Sequence, residues 1–308
     1  MTSANGRPLP VSYPDPFASG GAPPLSTTCT PSSGATFDIG TTAVTCTTTD
    51  SRQRTDTCTF NVTVVEPPKL TVTRFGAFGD SITWGENGVS MAAFGLTDRV
   101  RPRTQVPLNY PTVLYQTLAL RYTTQSIVVG NLGQPAELAA DPDTRARFSG
   151  VARSRLWDVL LLMEGSNDLN VNGLSGRQAA LDSVRSMIRD GKSRGVKMYL
   201  ATIPPMDGSL CCPRRGSAAP LVPGYNDQLK AIAQSEGVPL VDVFAAFPSP
   251  VSAYLSGDGL HPNEAGYNKI ADAFITAIRE TLEVKPSPTA ASAAPQSGSP
   301  YSRPRRRP

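Results

Sequence analysis

Residues 70–85 read LTVTRFGAFGDSITWG. The first nine are largely apolar and end in the consecutive run FGAF, as in a strand buried on both faces of a parallel sheet. The run then breaks at Gly79-Asp80 and delivers Ser81 to a strand-to-loop transition. Four more runs of the same kind follow: SIVVGN, WDVLLLME, VKMYLATI and VPLVDVF, each bounded by turn residues. Between them lie helical patterns, with Leu181, Val184 and Ile188, and later Ile270, Phe274, Ile278 and Leu282, recurring at spacings of three and four. Strands alternating with helices in this way define an α/β fold, a three-layer arrangement with a parallel sheet flanked by helices.

In an open parallel sheet, ligands bind at the carboxyl ends of the strands. The residues able to carry chemistry fall there. Ser81 follows the first run, Asn131 to Ala136 follow the second, Asn167 follows the third, and Asp258 and His261 precede the last helix. His261 is the only histidine of the chain, so any imidazole acid/base step must use it. A serine, a histidine and an aspartate are the parts of a nucleophilic hydrolase: the imidazole takes the hydroxyl proton, and the carboxylate orients the ring and stabilises its charged form.

Three blocks in order, FGDSITWG at Phe78 to Gly85, Gly165-Ser166-Asn167-Asp168, and Asp258-Gly259-Leu260-His261-Pro262, give residues 70–283 a resemblance to the SGNH or GDSL hydrolases. The resemblance implies a flavodoxin-like fold and a serine esterase with Ser81, Asp258 and His261 as catalytic residues. It also implies an oxyanion hole formed by the N–H of Ser81, the N–H of Ala136 and the side-chain amide of Asn167. The second block departs from the family pattern. Ala136 stands by spacing where a glycine is expected, and Gly133 is the competing alignment. An alanine keeps its N–H, but a left-handed backbone there would cost on the order of 1 kcal/mol. The segments Glu86–Pro111 and Met206–Val222 are expected to shape the acyl pocket.

The chain upstream is different. Residues 1–21, rich in Pro, Gly and Ser, show no periodicity and read as a flexible leader. Residues 22–66 form a small β module, dense in threonine and valine with alternation in TAVTCTTT and CTFNVTVV. Pro67-Pro68 reads as a hinge opening the hydrolase domain, 67–284, and the Pro/Ser/Arg tail 285–308 is expected to be disordered. The module is similar to the second half of a hyalin repeat, on Cys29, Phe37, Gly40, Val44, Cys46, Asp50, Cys58, Phe60 and Val64. That resemblance implies a setting outside the cell and a role in adhesion or substrate anchoring. Any pairing among Cys29, Cys46 and Cys58 is open.

Composition narrows the partners. The 308 residues carry a net charge of +4, but the tail holds Lys285, Arg303, Arg305, Arg306 and Arg307 and no acid, leaving the body slightly negative. No nucleic-acid footprint is present, and no apolar run approaches the ~18 residues of a membrane span. With one histidine and scattered cysteines, no four-ligand zinc site is expected and no metal or cofactor is implied. The opening MTSANGRPLP shows no apolar signal core, while the module points to a secreted or periplasmic protein. Three readings follow: an esterase of short-chain carboxylic esters, a carbohydrate O-acetyl esterase anchored by its β module, and a secreted adhesion protein with an inactive hydrolase domain.

Overall fold

The computed structural model describes residues 1–88, 104–210 and 213–284. The tail 285–308, most of the Glu86–Pro111 segment and Cys211-Cys212 lie outside the described residues.

The N-terminal module contains β1 (Leu9–Pro10), β2 (Ser26–Thr30), β3 (Thr36–Phe37), β4 (Gly40–Thr49) and β5 (Thr55–Val64). Antiparallel β2, β4 and β5 form one sheet, and β1 pairs with β3. Cys29, Cys46 and Cys58 lie in one row across the sheet, and the disulfide joins Cys29 to Cys46, leaving Cys58 exposed and free. Asp50 fixes the β4–β5 turn by accepting the N–H groups of Arg52 and Arg54.

Residues 1–21 are not the unstructured leader their composition suggests. Ser3 N–H donates to Val65 O (3.0 Å), Leu9–Pro10 pairs with Thr36–Phe37, Val11 is buried, and Tyr13 packs edge-on against Phe37 and Phe60. The reason is physical: the end of β5 has backbone groups that need partners, and a thin sheet needs extra apolar cover. A segment without periodicity supplies both.

The second body contains β6 (Arg74–Gly79), α1 (Ser81–Trp84), α2 (Tyr110–Arg121), β7 (Val128–Gly133), α3 (Pro142–Arg153), β8 (Val159–Met163), α4 (Ser166–Asn172), α5 (Leu174–Ser193), β9 (Lys197–Ala201), α6 (Pro213–Ala218), α7 (Val222–Glu236), β10 (Leu240–Val241) and α8 (Glu264–Leu282). Its five strands are parallel in the order β10-β9-β8-β6-β7. Each expected apolar run supplies one strand, and β8 is buried at every residue. The order reverses at β6, so the loops leaving β6 and β8 lie side by side, where such sheets bind ligands. Leu181, Val184 and Ile188 of α5, and Ile270, Phe274, Ile278 and Leu282 of α8, are buried as their spacing requires.

The two bodies have separate apolar cores that share no residue. They touch through Thr123, whose hydroxyl donates to Ala4 O, just before β7 begins. The linker reaches the sheet beside Lys69, whose carbonyl accepts from Val284 N–H. Both junctions lie at the amino ends of the strands. A chain beginning at Pro67 should therefore fold, with a melting temperature within a few degrees of the full protein and an undiminished rate on soluble esters. Loss of cooperative unfolding on truncation would show that the module completes the larger core.

Candidate active site

Ser81 opens helix α1 directly after β6. Asp80 is the N-cap, its Oδ1 accepting from Ile82 N–H at 2.8 Å. The last strand-to-helix connection supplies the partners. Asp258 Oδ1 accepts from the N–H groups of Leu260 and His261, both at 3.0 Å, so the segment folds around one carboxylate oxygen. Gly259 makes that turn possible: its φ is +65°, and a Cβ there would sit 2.1 Å from Asp207 O. The other oxygen, Oδ2, meets His261 Nδ1 at 2.6 Å. His261 Nε2 then meets Ser81 Oγ at 2.9 Å. All three side chains are buried. Burial pushes Asp258 up, but the hydrogen bond and charge of His261, with the two N–H groups, outweigh it and hold the carboxyl at about 2.

The loop after β7 leaves the sheet beside the end of β6, where Gln134 N–H donates to Gly79 O at 2.9 Å. Ala136 is exposed and lies in the left-handed region, with φ +65°. Gly133 is the last residue of β7; its N–H donates to Asn131 Oδ1 at 3.0 Å, and a Cβ there would lie 2.0 Å from Trp84 N. Thus Gly133 is required by close packing, while the residue with glycine-like backbone is Ala136. Asn167 and Asp168, in the first turn of α4, grip this same loop. Asn167 Nδ2 donates to Glu137 O (2.9 Å), and Asp168 accepts from the N–H groups of Ala139 (2.8 Å) and Ala140 (3.0 Å). Neither caps α4, although both are residue types that often do.

Three acids near the site escaped the sequence reading. Glu86 Oε2 lies 3.8 Å from His261 Nε2, and Tyr267 of α8 donates to Glu86 O at 2.8 Å. Asp80 and Glu164 directly follow Gly79 and Met163, which are paired across β6 and β8. Both are fully buried; neither oxygen of Glu164, and only Oδ1 of Asp80, finds a hydrogen-bond partner among the described residues. Burial pushes Asp80 up to about 7, against the Ile82 N–H and the His261 charge, with Asp168 and Glu137 adding to the rise. Burial likewise holds Glu164 well above the usual carboxylate range, reinforced by Asp80 and Glu137. An acid directly after a buried apolar run was the legible signal for both.

The family described as the GDSL-like Lipase/Acylhydrolase family matches residues 77–269, and the HYR domain matches residues 4–64. The chain belongs to the GDSL-like lipase/acylhydrolase family, which places its larger domain among the carboxylic ester hydrolases. Its N-terminal body is the hyalin-repeat-like module, which starts well before residue 22. A multidomain esterase of Ruminococcus flavefaciens is 27% identical over 132 residues, covering 42% of this chain and 17% of that protein. The chain therefore matches only about a sixth of that relative. The lipase/acylhydrolase from Enterococcus faecalis superposes with a TM-score of 0.55 at 18% identity, over 70% of this chain and all of that one. A variant of an acetylxylan esterase from Geobacillus stearothermophilus gives 0.52 at 23% identity, over 68% and 95%. At these identities the two structures speak for the fold. Among the described residues, no helix is long and apolar enough to cross a membrane.

The buried acids carry a pH signature. A free aspartate titrates near ~4, whereas Asp80 is held at about 7. Such a group contributes stability that is complete below the unfolded value and is lost as pH climbs through the folded one. Asp80→Asn keeps a capping oxygen but no longer titrates. Relative to this variant, the wild-type melting temperature should fall as pH rises from 4 to 8. A difference that stays constant over that range would contradict the assignment.

Proposed function

We propose that the chain is a serine esterase that hydrolyses short-chain carboxylic esters through Ser81, His261 and Asp258. The observation that carries this reading is the unbroken row from Ser81 Oγ through both ring nitrogens of His261 to Asp258. His261 Nε2 takes the Ser81 proton as Oγ attacks the acyl carbon, then returns it to the leaving alcohol. Asp258, held ionised, fixes the ring so that Nδ1 keeps its proton and stabilises the imidazolium. Water then hydrolyses the acyl-serine by the same proton transfers in reverse.

The oxyanion would be met by the N–H of Ser81, the N–H of Ala136 and the amide of Asn167. An amide carries two N–H donors, so the bond from Asn167 to Glu137 O orients the group without exhausting it. Ala136 keeps the left-handed backbone that a glycine adopts without strain, which supports an active enzyme over an inactive scaffold.

A second reading, a carbohydrate O-acetyl esterase acting outside the cell, is favoured by the hyalin-repeat-like module and by the likeness to an acetylxylan esterase. Assays with p-nitrophenyl esters of graded chain length, beside acetylated xylan, separate the two. Release of acetate from xylan well above the rate on p-nitrophenyl acetate selects the carbohydrate; a rate that falls steeply beyond short acyl chains with xylan untouched selects the simpler ester.

Ser81→Ala should lower kcat by at least about 10⁴-fold in a folded protein, and a fluorophosphonate should label Ser81 alone. Labelling elsewhere would sink the mechanism. Ala136→Pro removes a donor N–H and should lower kcat by ~10²–10³. Ala136→Gly keeps the N–H and relieves the backbone, so its rate should equal or exceed that of wild type. A fully active proline variant would remove Ala136 from the oxyanion hole.

A further inference from the structure

Beyond the three blocks lies Arg147, on helix α3. Its guanidinium is bound on every side. Nε donates to Glu137 Oε1 at 2.8 Å, and Nη2 donates to Glu137 Oε2. Nη1 donates to Leu132 O at 2.8 Å, and Nη2 reaches Gly79 O at 3.4 Å. Its flat face lies 3.8 Å from the centre of the Phe78 ring, and Phe78 packs edge-on against Phe148, the neighbour of Arg147 on α3. Glu137 is almost wholly buried against this partner.

These contacts bracket one short segment. Leu132 stands before Ala136 and Glu137 directly after it. Between them the chain holds a left-handed alanine, a conformation that persists only where its surroundings over-determine it. Glu137 also presents the carbonyl that accepts the Asn167 amide. One guanidinium thus sets the ends of the loop that carries one donor and the partner that orients another. A lysine could pair with Glu137, but it lacks the planar fork needed to reach the carboxylate and Leu132 O together while stacking on Phe78.

We propose that Arg147 is a positioning residue for ester hydrolysis, holding residues 132–137 in the shape that aims the Ala136 N–H and the Asn167 amide at the reacting carbonyl. The inference rests on the oxyanion roles proposed above, and it adds a residue that never touches substrate. A donor aimed only at the developing oxyanion affects the transition state more than the bound ester, so its misplacement appears in kcat.

The test uses the full-length protein and p-nitrophenyl acetate. Arg147→Met should lower kcat by roughly 10–100-fold with KM within about twofold, and should slow acylation by a fluorophosphonate in parallel. A purely structural role would instead lower the melting temperature and leave kcat per folded molecule unchanged, which would overturn the proposal. Arg147→Lys keeps the charge and should show a smaller loss of kcat, at least about fivefold, again at constant KM; it decides the matter if the methionine variant does not fold. Wild-type kcat in Arg147→Lys would then overturn the role. Ala136→Pro is measured alongside. If it destroys activity while the Arg147 variants keep theirs, the oxyanion reading stands and the positioning role falls. If neither substitution lowers kcat, the oxyanion reading itself is wrong, and the role of Arg147 falls with it.

Discussion

Gly79, the last residue of β6, is paired on both sides: with Gly133 of β7 and with Met163 of β8. A side chain has no room there. An added Cβ would lie 2.4 Å from Met163 O and 2.1 Å from the Thr83 hydroxyl. This double pairing fixes where three loops leave the sheet, and so fixes Ser81, the Ala136 loop and Asn167 relative to one another. The carbonyl of Gly79 extends the same control. It accepts from Gln134 N–H at 2.9 Å as well as facing Arg147, so the strand end and the following loop are one hydrogen-bonded unit. His261 and Asp258 come from a different connection and need a separate device, the turn built on Gly259.

The site is assembled at some cost to stability. Ala136 occupies a backbone region that an L side chain disfavours, and Asp80 and Glu164 bring carboxyl groups into the sheet without full hydrogen bonding. The surroundings offset this. Strand β8 is apolar throughout, the aromatic pair Tyr110 and Phe274 stacks behind the first block, and the loop after β7 is gripped from three directions by Arg147, Asn167 and Asp168. Strain of this kind survives where neighbours leave no alternative.

Much of the larger domain could be read from local pattern. Buried parallel strands are continuous apolar runs, and helices such as α8 announce themselves by spacing, because each residue type follows from its immediate environment. The three blocks were legible because turns around a nucleophile or an imidazole require particular residues at fixed intervals. What could not be read depends on distant partners. Helix α2 carries apolar residues around its circumference and gives no amphipathic signal; it is set by the Asn109 cap and by packing on α8. Residues 3–13 gain structure only because β5 and the aromatic residues of the module await them. Arg147 and Glu137 look like ordinary surface charges in a polar stretch, and only the fold brings ten residues of separation into an ion pair.

The module and the serine occupy opposite poles of the sheet. The linker and the Ala4–Thr123 contact lie where the strands begin; Ser81 lies where they end. A strand of six residues separates these poles by about 20 Å. A polymer gripped by the module would thus not lie across the mouth of the enzyme. It would have to loop back, or a neighbouring chain would have to arrive from the far side. A module that held a polymer here would raise local concentration without imposing register.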